Sequence, residues 1–71
     1  MIESVLNSNK DWFIELENTK SGEKITICNY YAATVGGVAS NYPIDGNNDW
    51  ISRESIIQDY IFVKSWTPEE C

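Results

Sequence analysis

Two runs of strict alternation around a short glycine turn constrain this chain more than any other feature. In Trp12-Phe13-Ile14-Glu15-Leu16-Glu17 the residues Trp12, Ile14 and Leu16 fall on one face, and Glu15 and Glu17 on the other. That period of two marks a half-buried strand. Asn18-Thr19-Lys20-Ser21-Gly22 follows as turn chemistry, its glycine free to take positive φ. Glu23 to Tyr31 then resumes the alternation, with Ile25, Ile27 and Tyr31 on one side and Lys24, Thr26, Cys28 and Tyr30 on the other. The pattern predicts an antiparallel hairpin over 11–31. Tyr60-Ile61-Phe62-Val63-Lys64-Ser65-Trp66, aromatic and β-branched, predicts a further strand over 60–66, stopped by Thr67-Pro68. Glu69-Glu70-Cys71 reads as a solvated tail.

Between these strands the signals are weaker. Ser55 and Gln58 form a Ser-x-x-Gln capping pattern, with Ser52 as a second N-cap, and predict one short helical turn near 52–58. Ile2, Val5 and Leu6 fit a single helical turn or an irregular arm. Val35 and Val38 are placed to carry strand on either side of Gly36-Gly37. Asn41, Pro43, Asp45, Gly46, Asn47, Asn48 and Asp49 predict a loop from Ser40 to Asp49. Loops of that length are uncommon in compact domains and often carry function. The expected fold is a β-dominated α+β domain spanning 1–71, with a small antiparallel sheet (hairpin 11–31 plus strand 60–66) and one helical turn.

The 71 residues bury only about 60% of their extended surface. Small chains offset this with disulfides, metals or oligomerisation. A Cys28–Cys71 bridge is disfavoured by the terminal position of Cys71 and by an intracellular setting. Two distant cysteines without histidine make no zinc site. Oligomerisation remains, and Trp12, Trp50, Trp66, Tyr30, Tyr31, Tyr42, Tyr60, Phe13 and Phe62 offer more ring area than so small a core encloses.

The absence of histidine also bears on chemistry, since it removes the commonest general base, metal ligand and nucleophile partner. The carboxylate pairs read as solvated edges. Asp45-x-Asn47-x-Asp49 lacks the distal Glu of a calcium loop, Ile56 standing in its place. The expectation is a non-enzyme without cofactor or metal. A net charge of −6 argues against direct nucleic-acid binding, because phosphate-binding domains are usually basic. No apolar run reaches the roughly 20 residues that span a bilayer, and MIESVLNSNK lacks the features of a signal peptide. The expectation is a soluble, cytoplasmic protein with no membrane contact.

Binding finds better material between 34 and 53. Gly36 and Gly37 can present bare N–H groups to an anion. Asn41, with Asn47 and Asn48, offers paired donors and acceptors. Trp50 and Tyr42 can stack on a planar ring, and Arg53 stands near a helix start where it can clamp phosphate. Each has a plain alternative: glycines for a tight turn, asparagines for left-handed turns, Trp50 as core, Arg53 paired with Glu54 or Asp59. The candidate ligand-binding residues are Thr34, Gly36, Gly37, Asn41, Tyr42, Trp50 and Arg53.

From Trp50 to Val63 the chain resembles the C-terminal part of the Thoeris anti-defence sponges, small phage proteins that sequester immune-signalling nucleotides. The family pattern runs Trp, Ser, an aliphatic pair, Asp and an aromatic, then a strand ending in Val. The matching positions are Trp50, Ser52, Ile56-Ile57, Asp59, Tyr60 and Val63. Trp12-Phe13-Ile14-Glu15-Leu16 is similar to the family's first hairpin strand. The chain departs from the pattern in its shorter Trp50–Asp59 spacing and in Tyr60, where Trp is more usual. It also departs in lacking the N-terminal helix and basic turn that precede the family's hairpin. The resemblance implies a non-catalytic homo-oligomer that holds a cyclic or ADP-ribose-derived nucleotide between subunits, in the host cytoplasm if phage-encoded.

The leading expectation is therefore capture of a small nucleotide immune signal. One alternative is an acidic inhibitory module that occupies a host nucleic-acid enzyme by mimicking phosphate. Another is a small structural or assembly protein.

Overall fold

The computed structural model describes residues 2–69. In chain order the elements are helix α1 (Ile2–Ser8), strands β1 (Phe13–Asn18) and β2 (Lys24–Cys28), a 3-10 turn (Asn29–Tyr31), and strands β3 (Ala33–Val35), β4 (Val38–Pro43) and β5 (Trp50–Ser52). Helix α2 (Arg53–Asp59) and strand β6 (Tyr60–Trp66) complete the chain. This is a small α+β protein with two three-stranded antiparallel sheets, ordered β2-β1-β6 and β3-β4-β5.

The first sheet follows the alternation. Phe13 pairs with Cys28 and Leu16 with Ile25, so the inward residues Ile14, Leu16 and Ile27 share one face and are fully buried. β6 joins the other side of β1. Glu15 faces Lys64 while Leu16 faces Phe62, which leaves Val63 as the extra residue of a bulge. Turn and helix are tied together at one end: Thr19 N–H donates to the Asp59 carbonyl at 2.8 Å, and Lys20 Nζ lies 3.2 Å from Asp59 Oδ1.

The second sheet goes beyond the expectation of a single sheet. β3 and β4 form a hairpin closed by Gly36 and Gly37 at φ +62° and +82°, the left-handed pair that a two-residue I′ turn requires. β4 then runs to Pro43, which corrects the expected loop from Ser40 to Asp49 to the shorter stretch 44–49. Pro43 is tolerated because β3 pairs with β4 only as far as Asn41, so the missing N–H costs no bond on that side. Burial of Tyr42 draws the segment inward against its turn-like composition. The remaining loop folds back onto β2 through an Ile27–Ile44 bridge and an Asp45 N–H donated to the Thr26 carbonyl at 2.8 Å.

The core joins both sheets and both helices: Leu6, Ile14, Leu16, Ile27, Tyr42 and Ile56. Each buried aliphatic side chain contributes about 1.5–3 kcal/mol. Leu6 is the reason residues 2–8 form a helix and not an arm, so the expected lack of an N-terminal helix is corrected. α2 starts at its cap, with Ser52 Oγ accepting from Ser55 N–H at 3.1 Å. Ser52, and not Ser55, is the cap. Two side chains expected to face inward do not. Trp12 precedes β1 and is 38% exposed, and Tyr31, in the 3-10 turn beyond β2, is 68% exposed. Glu70 and Cys71, and with them any bridge to Cys28, lie outside the described residues.

Candidate functional site

Neighbouring side chains on a strand point to opposite faces, so burial of Ile14 turns Phe13 outward. There it sits between its cross-strand partners Cys28 and Trp66, its ring stacked on Trp66 with centroids 5.7 Å apart. The 3-10 turn then brings Tyr30 back over Trp12. Tyr30 N–H donates to the Trp12 carbonyl at 3.3 Å, and the two rings pack at 4.7 Å. Tyr31 meets Tyr30 edge-on at 5.0 Å. With Pro68 these residues line a recess of about 180 Å³ formed by Trp12, Phe13, Cys28, Tyr30, Tyr31 and Pro68.

A polar clasp joins the segments that carry the lining residues. The Asp11 carboxylate accepts from Ser65 Oγ at 2.6 Å and from Thr67 Oγ1 at 3.2 Å. Thr67 Oγ1 also accepts Trp12 N–H at 3.1 Å. Asn29 Nδ2 donates to the carbonyls of Asn9 and Asp11 at 3.1 and 2.9 Å, and Asn9 Nδ2 donates to Ser65 Oγ at 2.9 Å. The segments carrying Trp12, Tyr30 and Pro68 are thus cross-linked, which keeps their rings in place without a ligand.

No lysine or arginine lines the recess. The Lys64 ammonium instead lies 5.5 Å over the Trp66 ring. Cys28 supplies the one thiol among the lining side chains. Burial pushes its thiol up from the ordinary value, and the Asp45 carboxylate adds to the rise, so at neutral pH it stays protonated. Among the described residues no group of three His, Cys, Asp or Glu side chains is placed to hold a metal ion. The recess can accept a flat apolar ring, and its chemistry is stacking.

The residues expected to bind lie elsewhere and do not converge. Thr34 sits exposed opposite Ala39, and Gly36 and Gly37 close the hairpin turn with open space around them. Tyr42 is fully buried, so its ring packs the core and offers no face to a ligand. Asn41 is exposed on β4 and donates to Ser40 Oγ at 3.3 Å. Trp50 is 55% exposed opposite Pro43, on the same side of the sheet as Asn41. Arg53 donates to Asn7 Oδ1 of α1 and so serves as a strut between the helices. Neither Glu54 nor Asp59 is its partner.

Sequence reasoning missed the recess, although a signal for it exists. Trp12-Phe13 and Tyr30-Tyr31 are aromatic doublets at matching ends of the two hairpin strands, and a strand cannot turn both members of a doublet to the core. No helix is long and apolar enough to cross a membrane among the described residues. No protein-family model, curated protein or solved structure matches this chain.

Proposed function

We propose that this chain is a non-catalytic binding protein that sequesters a small nucleotide signal as a homo-oligomer, in the manner of the phage anti-defence sponges it resembles. The reading rests on one observation, the ring-lined recess of about 180 Å³ beside the Trp12–Tyr30 pair. Every nucleobase has a π-face, and stacking on an aromatic side chain is worth about 1–3 kcal/mol per base. Pockets that enclose a whole ligand run to roughly 300–1,000 Å³. This smaller recess suits one ring system, with ribose and phosphates left at its mouth.

Charge supports the same division of labour. A chain at −6 repels anions at long range, and the recess offers no cation to a phosphate. Affinity then comes from stacking and depends weakly on salt. The protonated Cys28 thiol and the absence of histidine favour holding over turnover. The phosphate-mimic alternative has less support, since Glu15 and Glu17 stand opposite Lys64 and Lys24 and do not form an acidic row.

Calorimetric titration with adenosine, ADP-ribose and a cyclic dinucleotide tests the proposal. Heat with at least one of them, lost in Trp12→Ala, is the expected outcome. Silence across all three, or conversion of any of them, ends it.

A further inference from the structure

We infer that the recess is also a site for a small quaternary ammonium cation of choline size, held by cation–π attraction to its ring walls. The inference goes beyond the nucleotide reading and does not depend on it.

The walls point in two directions. Trp12 and Tyr30 lie within 31° of parallel, but Tyr31 stands at 80° to Tyr30. A flat base aligned with one of those planes meets the other edge-on. A tetrahedral ammonium head has no plane to align, so its methyl groups can touch both walls at once. The volume agrees, because about 180 Å³ falls below the roughly 300 Å³ at which pockets enclose a whole ligand. Tyr30 and Tyr31 are 60% and 68% exposed, which leaves ring surface open to an incoming group.

Charge selects a cation over a neutral group. Each ring face carries negative potential and draws a cation that comes within about 6 Å of its centroid. Lys64 already does this at Trp66, 5.5 Å from the centroid. Trp66 is not one of the lining rings, and no lysine or arginine lines the recess. Positive charge on Trp12, Tyr30 or Tyr31 must therefore come from a ligand. Asp11, which precedes Trp12, takes its side-chain bonds from the hydroxyls of Ser65 and Thr67, and among the described residues no cation neutralises it. Asp45 stands close enough to Cys28 to raise its thiol. These carboxylates and the net charge of −6 attract a cation and oppose a phosphate. A free cation is thereby favoured over a phosphocholine headgroup.

Titration of the whole chain with choline and with tetramethylammonium, followed by NMR shifts of the ring protons, tests the inference. Both cations should move the Trp12, Tyr30 and Tyr31 signals, and affinity should fall as salt screens the attraction. 3,3-Dimethylbutan-1-ol has the shape of choline without its charge and should bind about tenfold more weakly. Phosphocholine should also bind more weakly than choline. Tyr31 lies outside the core, so Tyr31→Leu should fold and keep apolar bulk, yet lose about tenfold in choline affinity. Tyr31→Phe, which retains a ring face, should bind like the parent protein. Trp50→Ala removes an exposed ring of the second sheet and should change nothing. Adenosine titrated in parallel separates the two readings, since choline binding beside silence from adenosine leaves this one standing. Failure of both cations to bind at millimolar concentration overturns it. So does equal affinity for the neutral alcohol, a preference for phosphocholine, or unchanged choline binding by Tyr31→Leu.

Discussion

Ser65 Oγ donates to Asp11 Oδ2 at 2.6 Å, joining residues 54 positions apart in the chain. The same carboxylate takes Thr67, and Thr67 in turn holds the Trp12 amide, so one acid sets the position of a ring in the recess. Hydrogen bonds to a charged group contribute about 1.5–3 kcal/mol. Asp11→Ala should therefore lower stability by roughly that amount, read as a lower urea midpoint at unchanged slope. Asp11→Asn should lose less, since its amide oxygen still accepts one hydroxyl. Equal midpoints for Asp11→Ala and the parent protein would show that the clasp contributes nothing.

Tyr42 is fully buried and its hydroxyl has no hydrogen-bond partner among the described residues. A buried unpaired hydroxyl costs about 1–3 kcal/mol of desolvation, and a phenyl ring of the same shape does not incur that cost. Tyr42→Phe is expected to raise stability. Each 1 kcal/mol appears as about 4–8 °C in Tm for a domain of this size. Tyr42→Ala should lose about 3–5 kcal/mol through the cavity it leaves. Calorimetric melting of the two variants checks both signs, and a large loss for Tyr42→Phe would mean that the hydroxyl is paired.

The contrast between Tyr42 and Leu16 shows how much of the molecule was legible in the sequence. Leu16 lies in a run where alternation, charge and turn all agree, so hairpin, register face and burial follow from local pattern. β6 was legible from its aromatic and β-branched run, and α2 from the serine capping signal before it. Tyr42 lies between Asn41 and Pro43, whose local preferences point to a loop, and only contact with residues far along the chain makes it core. Leu6 belongs to the same class, because one long-range contact turns an ambiguous arm into a helix. The recess was hidden more deeply. It depends on the 3-10 turn after Cys28, which carries Tyr30 over Trp12, and no periodicity encodes that reversal. The glycine pair was legible as a turn, and that plain reading accounts for its conformation without a ligand.

Gly37 isolates backbone conformation from packing. It holds φ +82° at the hairpin turn, and a Cβ built there meets no atom within 4 Å. Any loss on substitution is then conformational. A left-handed L-residue costs about 1–2 kcal/mol, and asparagine less than most. Gly37→Ala should be destabilised by that amount and Gly37→Asn by clearly less, both read from urea titration. Equal losses would point to a side-chain clash.

Cys28 links the recess to pH. Its thiol is raised in the folded protein, chiefly by burial and further by Asp45. On unfolding it enters water and gives up its proton at lower pH than the native thiol does. Below the unfolded value both states are protonated, and the thiol's contribution to stability is fully present. As pH rises between the unfolded and folded values, the unfolded chain binds fewer protons and stability falls. Cys28→Ala should remove this alkaline slope, so its stability difference from the parent protein should narrow or change sign towards high pH. Alkylation mapped to Cys28 should also be slow in the native protein and accelerate in denaturant, since the thiolate is the reactive form. Parallel pH profiles for the two proteins, together with fast native alkylation, would place the thiol in open water and remove it from the wall of the recess.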